Sequence, residues 1–423
     1  EKPLVSVVIP THNRAQLLQE AIESVLAQQG AGEQFDMEVI VVDDASSDDT
    51  PDVMRKYPQV RHIRLTTNHG EGGSRNVGIK ASHGKYIAFL DDDDVMLPGR
   101  LKLQVPAMEA HSEVGVVYSQ NIIRGKGLDK WWPDALRSGD VFDKTWPNAR
   151  HAPSGDVFQI FLKEEFLSMD TLLVRREAFH KAGYFENYPT EAHYDMFLRL
   201  AFHVPFLFVA GNVAINRVNL EGVFHARLTG EEGCARMLPQ VIEKALAMLP
   251  DTTYSRKLRR EVHVAVVPRL FCMVERIPEI EDVRSYAKIA FRTSPWLLTE
   301  SEARNTLAAN ADLFVRHRSP ISVTRVVCDE IKAVWIKRTL KDWLKLRILL
   351  ADIWMTAAMS LGFGSPSRPG AAVYAAIRAL FCNPLSAGPD CFKLALRIIV
   401  GPRVYACFRL LKRQRSDTNL ATT

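Results

Sequence analysis

The sequence lacks several features that would assign it at once to a functional class. Its 423 residues carry a formal net charge of only +5, without zinc-finger spacing or an RNA-binding signature, so we expect no nucleic-acid partner. The six cysteines form no CxxC pair, which argues against a zinc ribbon and favours reduced, buried thiols. No GxGxxG motif follows the first strand pattern, and that excludes a nicotinamide-dependent enzyme.

Long apolar runs are also scarce. The longest, Ile348–Phe363, is short for a transmembrane helix and contains Asp352. No secretory signal precedes the first strand pattern, because EKPLVSVVIP enters it directly. We therefore predict a cytoplasmic protein, either free or at the cytoplasmic face of a membrane.

What the sequence does contain is an alternation of strand and helix patterns near its start. Apolar, β-branched runs predict buried strands at Leu4–Pro10 and Glu38–Val42. Two further strands are predicted at Arg61–Leu65 and Tyr86–Leu90. Helical patterns separate them, so we predict an α/β fold with a mostly parallel, Rossmann-type sheet. Further along, helical periodicity dominates. We expect one domain over residues 1–230 and a helical C-terminal region over residues 231–423.

Polar clusters follow three of these strands. They are PTHNR at 10–14, DDASSDD at 43–49 and DDDD at 91–94. Ligands of such sheets bind beyond the carboxyl ends of the strands, so we expect the clusters to meet there. Carboxylates are ligands for Mg²⁺ or Mn²⁺, which also bind substrate phosphates. The acidic run therefore predicts a metal–diphosphate site, against the alternative of a solvated acidic turn.

Several motifs together carry a family resemblance. VSVVIPTHNR, VVDDASSDDT and NHGEGGSRNVGIKASHGKYIAFLDDDD resemble the nucleotide-binding half of inverting family 2 glycosyltransferases with a GT-A fold. This resemblance runs from about Val5 to Leu103. SMDTLLVRREAFHKAGYFE at 168–186 and YDMFLRLA at 194–201 resemble the acceptor half. The resemblance implies that residues 1–103 bind the nucleotide and residues 104–230 the acceptor.

The resemblance also implies roles for individual residues on the nucleotide side. Pro10, Thr11 and His12 would line the base, and Asp44 would accept a hydrogen bond from it. Arg75 would lie near the base or the diphosphate. Each has a structural alternative: a turn cap for His12, a helix N-cap for Asp44 and a surface ion pair on its own helix for Arg75.

In the acidic run, the resemblance implies that Asp93 binds Mg²⁺ or Mn²⁺. Asp91 or Asp92 would contact the ribose, or the metal through water. Such a metal neutralises charge on the leaving diphosphate.

The expected general base is where the chain departs from the family pattern. Family members begin a helix with a Glu-Asp pair, and the Asp is the base. The corresponding stretch is EAHYDMFLR, which places Ala192 and His193 at the pair. Three interpretations follow. His193 is the base, Glu191 takes that role, or the chain binds the nucleotide sugar without transferring it.

The C-terminal region has two basic, amphipathic stretches. Residues 332–347 carry six basic residues and one acid, and residues 390–415 carry seven and one. They fit either a membrane interface or packing between helices, including a homo-oligomer. Likewise, Trp131, Trp132 and Trp146 fit either sugar stacking or loop anchoring.

Together these features predict a metal-dependent, inverting hexosyltransferase. Its donor would be a nucleoside-diphosphate sugar, uridine-based, and its acceptor a glycan or glycolipid in polysaccharide biosynthesis. Two alternatives are a non-catalytic nucleotide-sugar-binding scaffold in a membrane complex and a sugar nucleotidyltransferase. The second would require a basic, Gly-rich triphosphate loop after the first strand, and PTHNRAQ is a poor match.

Overall fold

The computed structural model describes most of the N-terminal half of the chain and separate stretches of the rest. The described residues are 2–125, 142–146, 152–188, 191–218, 234–271, 280–311, 320–335, 345, 346, 348–354, 356 and 357. Trp131, Trp132 and the basic stretch 390–415 lie outside them, as does most of 332–347. The chain divides into two compact units, Glu1–Phe224 with Gln240–Asp251 and His225–Pro239 with Thr252–Thr423.

One sheet organises the first unit. Its described strands are β1 Leu4–Thr11, β2 Asp36–Asp43, β3 Arg61–Arg64, β4 Tyr86–Phe89, β5 Val95–Met96, β6 Val116–Gly125, β7 Phe142–Trp146, β8 Leu172–Arg175 and β9 Phe206–Val218. The order is β3-β2-β1-β4-β8-β6-β9-β5, with β7 paired to β6. The predicted α/β class, with a helical C-terminal part, is confirmed.

Strands β1 to β4 are mutually parallel, as the strand–helix alternation predicts. Strand β1 is central, between β2 and β4, and is apolar on both faces for that reason. Its residues Val5, Val7 and Ile9 belong to the main core cluster. Val8 faces the other way and is also fully buried.

The second half of the sheet begins with an antiparallel strand. Strand β8 pairs with β4 so that Ala88 lies opposite Leu173 and Tyr86 opposite Arg175. Continuing this register brings Asp91, just after β4, opposite Asp170, just before β8. An amino end of one strand is thereby placed at the carboxyl ends of the parallel strands.

Helices cover both faces of the sheet. The described helices of this part are α1 Ala15–Leu26, α2 Thr50–Met54, α3 Gly70–Ala81, α4 Arg100–Ala110, α5 Phe158–Lys163, α6 Arg176–Ala182 and α7 Ala192–His203. Helix α1 buries Leu18, Ala21, Ile22 and Val25, whose spacing puts them on one helical face. This stripe packs in the main core cluster with residues of β1 and α4.

Helix α3 packs closely on β1 at a glycine, and this contact gives a stability prediction. A Cβ on Gly78 would lie 2.3 Å from Cγ1 of Val8. We expect Gly78→Ala to lower the free energy of unfolding by about 1–3 kcal/mol, because overpacking outweighs the better helix propensity of alanine. Chemical denaturation measures this difference.

The control is Gly99→Ala, where an added Cβ has no atom within 4 Å. Gly99 precedes α4 as its N-cap, so this substitution is expected to cost under about 1 kcal/mol. Equal losses in the two variants would contradict close packing at Gly78.

The C-terminal helices are α8 Cys234–Ala247, α9 Thr253–Phe271, α10 Ile280–Thr293, α11 Trp296–Thr299, α12 Ser301–Ala309 and α13 Pro320–Val334. In the second unit, the ring of buried His263 stacks on Trp296 at 4.3 Å between centroids and contacts Glu300 at 2.9 Å. Within the described part of the chain, none of the helices combines the length and apolar character needed to cross a membrane.

Candidate active site

Side chains at the carboxyl end of β1 contact the acidic run that follows β4. Asp92 accepts a hydrogen bond from the Thr11 hydroxyl at 2.7 Å and from Nη1 of Arg14 at 2.9 Å. The same Nη1 lies 2.8 Å from Oδ2 of Asp93. Burial raises the pKa of Asp92 and Asp93, although the charge of Arg14 opposes this. Arg14 therefore neutralises part of the acidic run.

A second acidic group is formed by Asp91, Asp94 and Asp170. Each offers a carboxylate oxygen, and these atoms all lie within 4.8 Å of one another. The backbone N–H of Asp91 donates to Asp170 at 2.9 Å, as the strand register requires. Asn216 donates to both Asp94, at 2.7 Å, and Asp170, at 3.2 Å. Another strand, β9, thus fixes two of the three carboxylates.

The chemistry of this group fits a hard divalent cation. Asp94 and Asp170 are buried, so both carboxylates are largely removed from water. Burial raises the pKa of Asp91 and Asp94, and the charge of Asp170 raises both further. A cation bound among these oxygens would offset that repulsion and lower the pKa values. Asp93, predicted as a metal ligand, lies outside this group and faces Arg14.

Arg75 is buried beside the acidic group. Its Nη2 contacts Asp91 at 2.5 Å and Glu71 at 2.6 Å. Burial opposes its charge, but these carboxylates outweigh that effect and raise the pKa of Arg75. The alternative interpretation of Arg75 was a surface ion pair on its own helix. The pair with Glu71 does form, but the side chain of Arg75 is only 1% exposed and also contacts Asp91.

The residues predicted to surround the base lie together at the ends of β1 and β2. His12 is exposed and contacts the backbone oxygen of Asp44 at 2.7 Å through Nδ1. Asp44 is buried, and its Oδ1 accepts the backbone N–H of His69, just before α3, at 2.7 Å. Pro10 is buried within β1. The fold thus brings Pro10, Thr11, His12 and Asp44 to one rim.

Helix α7 begins at the position predicted for the general base. Its N-cap, Glu191, has a left-handed backbone with φ of 62°. A Cβ on Gly72 of α3 would lie 3.6 Å from Cβ of Ala192, so α7 starts against α3. Nε2 of His193 contacts Oε1 of Glu165 at 3.3 Å. The structure therefore pairs the predicted base with an acid from another segment.

Comparison with known proteins identifies the first half of the chain. Residues 6–183 match the family model described as Glycosyl transferase family 2. This segment is a family 2 glycosyltransferase domain. The match includes β1 to β4, the acidic run and Asp170.

Three relatives illustrate the similarity. The succinoglycan biosynthesis protein ExoO of Rhizobium meliloti (strain 1021) is 44% identical over 26% of this chain and 30% of ExoO. The GalNAc(5)-diNAcBac-PP-undecaprenol beta-1,3-glucosyltransferase of Campylobacter jejuni (serotype O:2) is 33% identical over 38% of this chain and 52% of its own. The chain therefore spans less than two thirds of either relative. The crystal structure of S. aureus TarS 1-349 with UDP-GlcNAc superposes with a TM-score of 0.48 at 17% identity, covering 87% of this chain and 93% of TarS 1-349.

Helix α7, which lies beyond the matched segment, takes part in an ionic network. Asp195 contacts Arg199 at 2.6 Å and Lys244 at 2.8 Å. Lys244 also contacts Glu186 at 2.5 Å. Both carboxylate oxygens of Asp195 are therefore engaged by ion pairs.

Four residues of the family 2 domain's site were missed as site residues: Arg14, Asp94, Glu165 and Asp170. Arg14 and Asp94 belong to the quoted clusters, so their position at a strand end was an available signal. Glu165 had no such signal, because its partner His193 is distant in the chain. Asp170 lies in the quoted motif at 168–186, but that motif gave no indication of its contact with Asp91, 79 positions away.

Proposed function

We propose that this chain is a glycosyltransferase that moves a hexose from a nucleoside-diphosphate sugar, with inversion, to a glycan or lipid-linked acceptor. The observation that carries this proposal is the acidic group Asp91, Asp94 and Asp170 at the strand ends of a family 2 domain. These carboxylates are suited to holding Mg²⁺ or Mn²⁺. The metal, when bound, supplies positive charge against the diphosphate that leaves.

The protein's own residues would bind and orient the donor. Pro10, Thr11 and His12 line the pocket for the base, and Asp44 accepts a hydrogen bond from it. Asp92 contacts the ribose from its position against Thr11. Their grouping at one rim supports these roles.

Near the phosphates, Arg75 supplies a fixed positive charge. Asp91 is a ligand of the metal. The family resemblance also implies that Asp93 is a metal ligand. Asp93 would then have to break its contact with Arg14 in order to bind the metal.

The proposed acceptor follows from the names of two relatives. The named function of the C. jejuni relative includes a PP-undecaprenol substrate, and that of ExoO is succinoglycan biosynthesis. On this basis we propose an acceptor used in surface polysaccharide formation. The uridine-based donor is proposed from the family resemblance of the sequence motifs. Residues 1–103 would bind the donor and 104–230 the acceptor. Residues 231–423 would contact the membrane or a second copy of the chain.

A cytoplasmic location is part of the proposal, at or near the membrane's cytoplasmic face. Cys328 is buried and takes part in no disulfide, which suits a reducing compartment.

Thermal unfolding with UDP, GDP, dTDP and CDP, each with and without Mn²⁺, tests the donor site. A diphosphate at a hundredfold its dissociation constant should add about 2.7 kcal/mol of stability. We expect UDP to give the largest shift, and only with Mn²⁺. No shift with any of the four would contradict the proposal.

A second candidate is a nucleotide-sugar-binding scaffold. It is favoured by one observation, the Ala192–His193 pair at the start of α7 in place of Glu-Asp. UDP binding without release of UDP from any UDP-sugar, with or without an acceptor glycan, would support the scaffold over the enzyme.

A further inference from the structure

The start of α7 lacks an acid at the two positions where the family pattern has Glu-Asp, yet an acid is present there in space. Glu165, between α5 and β8, brings Oε1 to 3.3 Å from Nε2 of His193. The side chain of Glu165 is 28% exposed and that of His193 39% exposed, so an acceptor can reach both. The tertiary structure therefore supplies a carboxylate at the start of α7 from another segment of the chain.

Aromatic packing fixes both members of this pair. Phe166, next to Glu165, is buried with its ring centroid 4.1 Å from that of Phe161. Phe161 packs at 5.9 Å on Phe197, and Phe197 in turn contacts the ring of His193 at 5.7 Å. Glu165 and His193 therefore belong to one rigid cluster and are preorganised relative to each other.

The charge state of His193 decides which member can accept a proton. Partial burial lowers the pKa of His193, but the hydrogen bond and charge of Glu165, with the charges of Glu191 and Glu71, raise it to about 9. At neutral pH the ring is thus an imidazolium, which has no lone pair for a proton. Glu165 carries the proton-accepting oxygens of the pair.

The pair also lies close to the donor site. Five residues after Glu165, the same segment reaches Asp170 of the acidic group, a span of at most about 18 Å. From the other side, Glu71 lies within electrostatic reach of His193 and pairs with Arg75, which pairs with Asp91. These contacts link the Glu165–His193 pair to the residues proposed to hold the donor.

We propose that Glu165 is the general base of this chain and that His193 is its positioning residue. This inference rests on the proposed function. The acceptor oxygen forms a bond to the anomeric carbon while the bond from that carbon to the diphosphate oxygen breaks. The breaking bond's electrons leave with the diphosphate. The acceptor's proton passes to the Glu165 carboxylate and later to water.

UDP release from UDP-glucose, UDP-galactose and UDP-GlcNAc tests this, with water as the acceptor and Mn²⁺ present. For Glu165→Gln we expect kcat to fall at least about 100-fold, with UDP affinity within about twofold of the wild type. Glu164→Gln, which changes an exposed neighbouring acid, should leave kcat unchanged. Glu165→Gln/His193→Asp should regain at least about tenfold, because the new Asp restores the carboxylate at the start of α7.

The pH profile separates the two possible bases. If Glu165 is the base, the rate falls as pH rises through about 9, because His193 then loses its charge and no longer holds the Glu165 carboxylate in position. His193→Gln should then remove that fall. If His193 is the base, the rate instead rises through the same pH, and Glu165→Gln moves the rise toward neutral pH.

A rise in rate through that pH, or full turnover by Glu165→Gln, would overturn this inference alone. Loss of turnover in Glu191→Gln and not in Glu165→Gln would also overturn it. A wild-type protein that binds UDP but releases none from any donor would overturn both this inference and the proposed function.

Discussion

Asp170→Asn is expected to abolish the stabilisation that UDP and Mn²⁺ give together, a loss of about 2.7 kcal/mol at a hundredfold the dissociation constant. Asp170 is buried and contributes one of the three carboxylates of the acidic group. Asparagine keeps the shape but loses the charge, so the affinity for a divalent cation should fall steeply. Thermal unfolding and calorimetric titration with Mn²⁺ alone measure the two effects.

Without metal, the same substitution is expected to stabilise the fold increasingly as pH rises toward neutral and mildly alkaline values. Asp91 and Asp94 have pKa values raised by burial and by the charge of Asp170. A carboxyl group whose pKa is higher in the folded state destabilises that state once pH exceeds its unfolded pKa. Removing the charge of Asp170 reduces this cost, so the gain in free energy of unfolding should grow from pH 5 to pH 8.

The matched control is Asp36→Asn. Asp36 is 54% exposed and pairs with Lys2 at 3.2 Å, and it is not one of the proposed site residues. Its removal should alter neither the response to Mn²⁺ nor the pH dependence. A full UDP and Mn²⁺ response in Asp170→Asn would show that the metal, if any, is held elsewhere, for example at Asp93.

Arg75→Met has the second large expected effect, a loss of about 3 kcal/mol of unfolding free energy. Breaking a buried ion pair costs about 3–5 kcal/mol, and the lower value applies because water can reach the carboxylates left behind. Glu71 is 39% exposed and Asp91 29% exposed, whereas Arg75 is 1% exposed. The substitution also removes the positive charge proposed to face the diphosphate, so the UDP response should weaken.

Arg55→Ala provides the comparison on the surface. Arg55 contacts Asp52 at 2.5 Å, but the two side chains are 75% and 58% exposed. Such a pair contributes little, so a change under about 0.5 kcal/mol is expected. If denaturant titration gave both arginine variants the same small loss, burial of Arg75 would be the wrong explanation for its effect.

The donor side and the acceptor side of the site differ in how well the sequence predicts them. The donor side was largely predictable, since Thr11, Asp44 and Asp92 each come directly after an apolar strand. Arg14 and Asp94 lie in the same clusters and could have been added on that signal. The acceptor side was less accessible, because EAHYDMFLR offers no acid where the family pattern requires one.

The sequence by itself determined the alternation of strands and helices, the parallel half of the sheet and the rim where its polar clusters meet. Those features depend on local apolar periodicity and on the direction of parallel strands. Only the tertiary structure decided that β8 runs antiparallel to β4, which brings Asp170 to Asp91 across 79 positions of sequence. It also decided that Glu165 meets His193. The direction of β8 and the packing of the loops determine these two pairings. Neither can be predicted from the apolar periodicity of the segments involved.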